Sequence, residues 1–249
     1  MFLFKLLESK VAILTLSKVD KKNCINGNDF KELKKVLLNT KSKDIRAMII
    51  DADGDHFTSG LDIKNVPQQL RTKYESPAHK ALAIQDFLKE WQDTFSLFEQ
   101  MSYPVISCVH GYCIGLGIDL ISAVDIRFST RAAKYSVAEV NVGLAADVGT
   151  LQRLPKIVGN QSLVRELCLT GRFFTGQEAF DMGLVSRVFE SKTEMAADAL
   201  KLAEEIAEKD PIAVQGTKKY LVHALNNSTQ SGLTSLLVWN SAMLQGSKL

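Results

Sequence analysis

Five short runs rich in β-branched and apolar residues, Lys10–Lys18, Ile45–Asp53, Pro104–Gly111, Asp125–Thr130 and Leu184–Glu190, are separated by stretches of helical periodicity. Such alternation calls for an α/β fold and argues against a helical bundle. The helical stretches carry signals of their own. Ile84, Phe87, Leu88, Trp91, Phe95 and Phe98 recur at helical spacing on one face, the pattern of a core-facing stripe rather than of an aromatic ligand box. Ser191 with Glu194 forms a capping box for a helix running toward Lys209, and Asp210 before Pro211 opens the next one. No repeat, low-complexity tract or Pro/Gly-rich linker divides the chain, and its last third is mostly helical.

The composition narrows the function classes. With 249 residues, 46% of them hydrophobic and 23% charged, the chain can build one large domain with a sizeable core. A formal charge of +2 leaves no broad basic face, so nucleic-acid binding has no motif behind it. Cys24, Cys108, Cys113 and Cys168 form no CxxC pair and have no histidine at metal-ligand spacing, so neither a metal site nor a disulfide framework is expected, only buried thiols. The opening MFLFKLLESK lacks an apolar segment with a small-residue cleavage site, and no run approaches the length of a membrane span. Ser247, Lys248 and Leu249 spell the carboxyl-terminal peroxisomal address, which makes the peroxisome the expected location and its import receptor an expected partner.

Two glycine-containing turns follow strand signals: FTSGLD, Phe57 to Asp62, and HGYCIGLGID, His110 to Asp119. Each sends a strand into a turn that can open a helix, where main-chain N–H groups are unpaired and point outward. Two such turns facing each other would hold an anionic oxygen. The second is not a dinucleotide fingerprint, since GxGxxG is absent. Three carboxylates accompany these turns. Asp119 falls in the first turn of the second helix, Glu139 ends the strand-like run KYSVAEV, and Asp147 sits among small residues just before TLQRLPKIV. Each also has a purely architectural reading: Asp119 complements a helix dipole, Glu139 pairs with a lysine, and Asp147 caps a helix. Apolar surroundings disfavour a charged carboxylate and move its pKa toward the range useful for proton transfer. Donors aimed at an oxygen complement this by stabilising an enolate.

The segment GIDLISAVDIRFST, followed by VAEVNVGLAADVGTLQRLPKIVGNQSLV, resembles the crotonase (enoyl-CoA hydratase/isomerase) superfamily, and within it looks closest to the delta(3,5)-delta(2,4)-dienoyl-CoA isomerases. The resemblance implies a core of repeated ββα turns over residues 1–190 and a helical, trimerising region over 191–249. It implies homotrimers or homohexamers, an acyl-CoA thioester substrate, and no metal or separate cofactor. By position, the oxyanion hole would use the N–H groups of Leu61, after Gly60, and of Leu116. The acids would be Asp119, Glu139 and Asp147, with Asp147 taking a proton from C2 of a 3,5-dienoyl thioester, Glu139 delivering one at C6, and Asp119 in support. Candidate CoA contacts are Lys21, Lys22, Ser59, Gly60, Asp62 and Lys64.

In hydratases of this superfamily the positions of Asp119 and Glu139 are both glutamates and that of Asp147 is not acidic, so the resemblance favours isomerisation. Hydration, another acyl-CoA isomerisation on the same scaffold, and a catalytically silent acyl-CoA binder are the alternatives. Three features depart from the pattern. Leu116 interrupts a run of glycines and is expected to narrow the thioester site or change its chain-length preference, Asn141 replaces an aspartate, and the chain stops at MLQGSKL where relatives continue into a further helix.

Overall fold

A computed structural model of the chain describes residues 1–65 and 72–243. Six strands, β1 (Phe2–Leu6), β2 (Val11–Leu16), β3 (Ala47–Ala52), β4 (Val105–Val109), β6 (Ile126–Thr130) and β9 (Arg187–Phe189), form the main sheet in that spatial order. β1 is antiparallel to β2, and every other neighbouring pair is parallel. A second, smaller sheet joins β5 (Tyr112–Ile114), β7 (Lys134–Ser136) and β8 (Phe174–Thr175). The five strand-like runs of the sequence are β2, β3, β4, β6 and β9. β1 escapes notice because only Phe2 of FLFKL is buried, so an edge strand with one anchored residue carries little pattern.

Parallel strands read as continuous apolar runs when both faces are covered, and VISCV in β4 is buried at all five positions. One face carries the main core. The other packs Val11, Ala47, Ile49, Ile106, Cys108 and Phe128 against Met195, Ala199 and Ala203 of α7 (Lys192–Ala207). Residue 191, where the resemblance sets the start of a helical region, is the N-cap of that helix, and its capping box with Glu194 is formed.

α1 (Gly27–Thr40) and α2 (Pro77–Gln100) pack together on the main-core side, where the Phe30 and Trp91 rings stack with centroids 4.0 Å apart. Phe87, Trp91, Phe95 and Phe98 are buried, and Ile84 and Leu88 are half-buried, so the aromatic stripe is core. The remaining helices are α3 (Leu116–Ser122), α4 (Thr150–Ile157), α5 (Gln161–Thr170), α6 (Gly176–Asp181), α8 (Pro211–Ala224) and α9 (Thr229–Met243). α8 opens on Asp210, whose carboxylate accepts from the amides of Ile212 and Ala213. It is tied down by Lys218, whose buried ammonium donates to the main-chain oxygens of Phe98 and Tyr103 and to Asp125 Oδ2.

Cys24, Cys108 and Cys113 are buried and Cys168 is only half-buried; all four are free. Among the described residues no helix is long and apolar enough to cross a membrane. The Ser247–Lys248–Leu249 tripeptide lies outside the described residues.

Candidate active site

The two glycine turns meet edge to edge. Thr58 bridges Cys113 of β5, with the Thr58 amide donating to the Tyr112 oxygen and the Ile114 amide to the Thr58 oxygen. The first turn is fixed from below by Asn23, whose Nδ2 donates to the main-chain oxygens of Asp53 and His56, while Thr58 Oγ1 donates to the Asn23 oxygen. Gly60 has φ +86°, and a Cβ placed there would lie 2.5 Å from the Ile114 oxygen and 3.6 Å from the Leu116 nitrogen. Only glycine lets the turns approach so closely. The Leu61 and Leu116 N–H groups thus stand on neighbouring turns, and neither has a main-chain or side-chain acceptor among the described residues. Leu116 begins α3, where the first amides have no partner within the helix. Its side chain is 5% exposed and belongs to the main core, which is at odds with the expectation that it narrows the thioester site.

Glu139 and Asp119 border the second turn, and the charge of Asp147 reaches both. Glu139 stands over the second turn: a Cβ on Gly115 would lie 3.1 Å from Glu139 Oε1. It does not end a strand, as the run KYSVAEV suggests. β7 stops at Ser136 and Glu139 lies in a 3-10 turn, Ala138–Val142, that aims it at Gly115. Asp119 is in the first turn of α3, as expected, but its carboxylate serves another helix. Oδ1 accepts from the Thr150 amide at 2.6 Å and from Thr150 Oγ1 at 2.8 Å, capping the start of α4. Gly149, the formal N-cap, has no side chain for this, and Asp147 does not cap the helix either. Asp147 is exposed on the loop that leads into α4.

None of the three forms an ion pair among the described residues. Asp119 Oδ2 and Glu139 Oε2 are buried without a hydrogen-bond partner. Electrostatics follow from that. Burial pushes the Asp119 carboxyl up to about 6, against the lowering effect of its Thr150 bonds, and the charge of Asp147 adds to the rise. Burial likewise pushes Glu139 up to about 7, with the charges of Asp119 and Asp147 adding to it. Asp147 is also raised, by the protein that walls off part of its surroundings. Glu139 senses both aspartates and Asp119 senses Asp147, so the three are electrostatically linked.

This predicts a pH-dependent stability. From their ordinary values of 3.8 and 4.5 up to about 6 and 7, Asp119 and Glu139 stay protonated in the folded chain after the unfolded chain has released its protons. The stability these groups contribute is fully present below about pH 4 and is lost as pH rises through 6 to 7. Glu139→Gln should flatten that decline and raise the melting temperature at pH 8, by on the order of 5 °C, read by thermal unfolding across a pH series.

Of the candidate CoA contacts, Lys21, Lys22 and Lys64 are exposed, Ser59 is half-buried, and Gly60 and Asp62 are buried. Lys22 lies 5.6 Å from the Tyr112 ring centroid, and its main-chain oxygen accepts from Ser59, so the 18–26 segment borders the first turn. Asn141 Nδ2 donates weakly to the Gly171 oxygen at 3.4 Å. Reading the sequence missed Thr150, the partner of Asp119, and the polar row Gln92, Ser96 and Glu99 on α2 that faces the Asp147 loop. The 4,3 spacing of that row on a helix was the available signal. Among the described residues no cluster of His, Cys, Asp and Glu could hold a metal ion.

The family model described as Enoyl-CoA hydratase/isomerase matches residues 7–242. The chain belongs to the enoyl-CoA hydratase/isomerase family. Among curated relatives of this family, the mitochondrial delta(3,5)-delta(2,4)-dienoyl-CoA isomerase of Homo sapiens is 42% identical over 240 residues, covering 96% of this chain and 73% of the relative. The peroxisomal delta(3,5)-delta(2,4)-dienoyl-CoA isomerase of Arabidopsis thaliana is 39% identical, covering 95% of this chain and 86% of the relative. The enoyl-CoA hydratase of Bacillus anthracis superposes with a TM-score of 0.87 at 24% identity, over 99% of this chain and 92% of that one. That likeness concerns the fold alone, and it is the crotonase fold that the resemblance implied. The family's α/β scaffold accounts for the parallel sheet, but a fold alone does not fix a function, which lives in the site it carries.

Proposed function

We infer that this chain isomerises a 3,5-dienoyl-CoA to the 2,4-dienoyl-CoA, a double-bond transposition that serves fatty-acid β-oxidation. The observation that carries this is the pair of buried acids without ion-pair partners, Asp119 and Glu139, at the turn that bears the free Leu116 amide next to that of Leu61, with the charge of Asp147 reaching both. Relatives about 40% identical over nearly the whole chain are named for the same reaction.

The chemistry follows from the groups available. The thioester oxygen accepts from the Leu61 and Leu116 amides. Asp147, as a carboxylate, removes a proton from C2, and the electron pair of that C–H bond spreads over the oxygen and over C2, C4 and C6. The amides stabilise the oxyanion as it forms. Glu139, about half protonated near neutrality, delivers its proton to C6, leaving double bonds at C2 and C4. One carboxylate cannot reach both ends of an extended dienolate, which is why two are needed. Asp119 holds the start of α4, and with it the loop of Asp147, in register. No metal or separate cofactor enters this scheme. Lys21, Lys22 and Lys64, beside Ser59, Gly60 and Asp62, are the proposed CoA contacts.

A homotrimer or homohexamer fits the apolar residues exposed on the terminal helices, Leu221, Leu233, Leu237 and Val238. A peroxisomal location draws support from the plant relative's name, although the mammalian relatives are named mitochondrial. The deciding assay offers purified protein a 3,5-dienoyl-CoA and, separately, a 2-enoyl-CoA. Growth of the conjugated 2,4-dienoyl thioester absorbance is expected. Faster hydration of the enoyl substrate would move the assignment to a hydratase, and binding with neither reaction would make the chain an acyl-CoA binder.

A further inference from the structure

The loop carrying Asp147 is gripped from α2 at two points. Gln92 Nε2 donates to the main-chain oxygen of Asp147 at 2.7 Å. Farther along the same helix the Arg153 guanidinium donates to Glu99 through both arms, Nε to Oε1 at 2.9 Å and Nη2 to Oε2 at 3.0 Å, and Nη2 also reaches Ser96 Oγ at 2.9 Å. Its other nitrogen, Nη1, leans toward the Val148 oxygen at 3.4 Å. It lies where a Cβ on Gly149 would stand, 1.9 Å away, and Gly149 takes φ +132°. The absence of a side chain there makes room for the guanidinium.

The geometry separates two jobs on α2. Phe87, Trp91, Phe95 and Phe98 anchor the helix in the core, while Gln92, Ser96 and Glu99 form a polar row turned to the 147–153 segment. The ion pair is well shielded, with side chains 14% and 25% exposed, and a two-armed fork fixes direction as well as distance. The carboxylate of Asp147, by contrast, bonds to no other residue among the described ones, and its place is set by its backbone.

We propose that Gln92 and the Glu99–Arg153 pair are positioning residues that hold the main chain of 147–149 against α2 and so fix the height of the Asp147 carboxylate above the paired turns. This rests on the isomerase reading of Asp147. Small displacements of a proton-transfer group cost large factors in rate, so the clamp is read in turnover and not in affinity.

Gln92→Leu keeps the bulk and removes the donor. It is expected to lower kcat by about 10- to 50-fold with KM near the wild-type value. Amide hydrogen exchange over 147–149 should quicken by roughly tenfold while exchange along the core face of α2 stays as it was. In an Asp147→Asn background the same change should lower kcat no further, because a group acting through Asp147 then has nothing left to position. Arg153→Lys keeps the charge and loses the fork, and should show the same pattern. Wild-type kcat and exchange in Gln92→Leu, or an equal loss of kcat in both backgrounds, would overturn the proposal. If the wild-type chain fails to isomerise the dienoyl thioester, the isomerase reading falls, and the exchange measurement still decides whether the clamp exists.

Discussion

Asp147→Asn lowers kcat for dienoyl isomerisation by about 10³-fold or more, with KM changed by no more than a few-fold, because general-base catalysis contributes roughly 10²–10⁴ and an amide cannot accept the C2 proton. The substitution is close to isosteric, and Asp147 is exposed, so the fold should survive it. Glu139→Gln acts on the other half of the transfer and should cost roughly 10²-fold. The two differ in their pH profiles. Glu139 must hold its proton to deliver it at C6, so with its carboxyl at about 7 the wild-type rate should fall on the alkaline side of neutrality. Asp147 must be ionised, so the acid limb belongs to it. In Glu139→Gln the alkaline limb should disappear while the acid limb stays, although interacting acids report macroscopic values for the set. Stopped-flow or steady-state absorbance measurements across pH 5–9 give both results. An Asp147→Asn protein within about threefold of wild type would remove the proposed base from the mechanism.

The oxyanion donors are main-chain groups, so they are tested through the glycine that holds them. Gly60→Ala places a Cβ 2.5 Å from the Ile114 oxygen at φ +86°, and since that neighbour is backbone, the turn itself must move. The Leu61 amide moves with it. Loss of one oxyanion donor costs about 10²–10³ in kcat, and that is the expected range. Strain alone also lowers stability, which calls for a control. Gly54 has φ +74°, but the Cβ there would meet only the side chain of Val19, which can shift. Gly54→Ala shares the positive-φ strain without the backbone clash, so it should lose some melting temperature while keeping kcat within about twofold. If Gly60→Ala is destabilised yet turns over like Gly54→Ala, the paired turns do not hold the oxygen.

How much of this could be read before any coordinates depended on the range of the interaction. The five parallel strands announced themselves through local apolar runs, and the aromatic stripe of α2 through its period. The capping boxes were equally local. β5 and β8 are two or three residues long, too short for any periodicity to show, and the strand-like run KYSVAEV overshoots β7, which ends at Ser136; the pairing of these strands is what brings Gly115 under Glu139. The acids were picked out as unusual charges among small residues, and family likeness supplied their roles. That Asp119 caps α4 was not legible, because its partner Thr150 is 31 residues away and the obvious local reading, a carboxylate in its own helix's first turn, is also satisfied. The grip of Gln92 on the Asp147 oxygen spans 55 residues and involves a main-chain acceptor, which leaves no trace in residue identity.

The two hydrogen bonds that Thr150 donates to Asp119 have a consequence for anyone wishing to redirect this scaffold toward water addition. Lengthening Asp119 by one methylene, the change that family likeness suggests for a hydratase, would either push the first turn of the following helix outward or leave its amide bare. Re-engineering the chemistry at that position therefore means re-engineering a helix terminus at the same time, and removal of the Thr150 hydroxyl, by alanine or glycine, is the natural companion change.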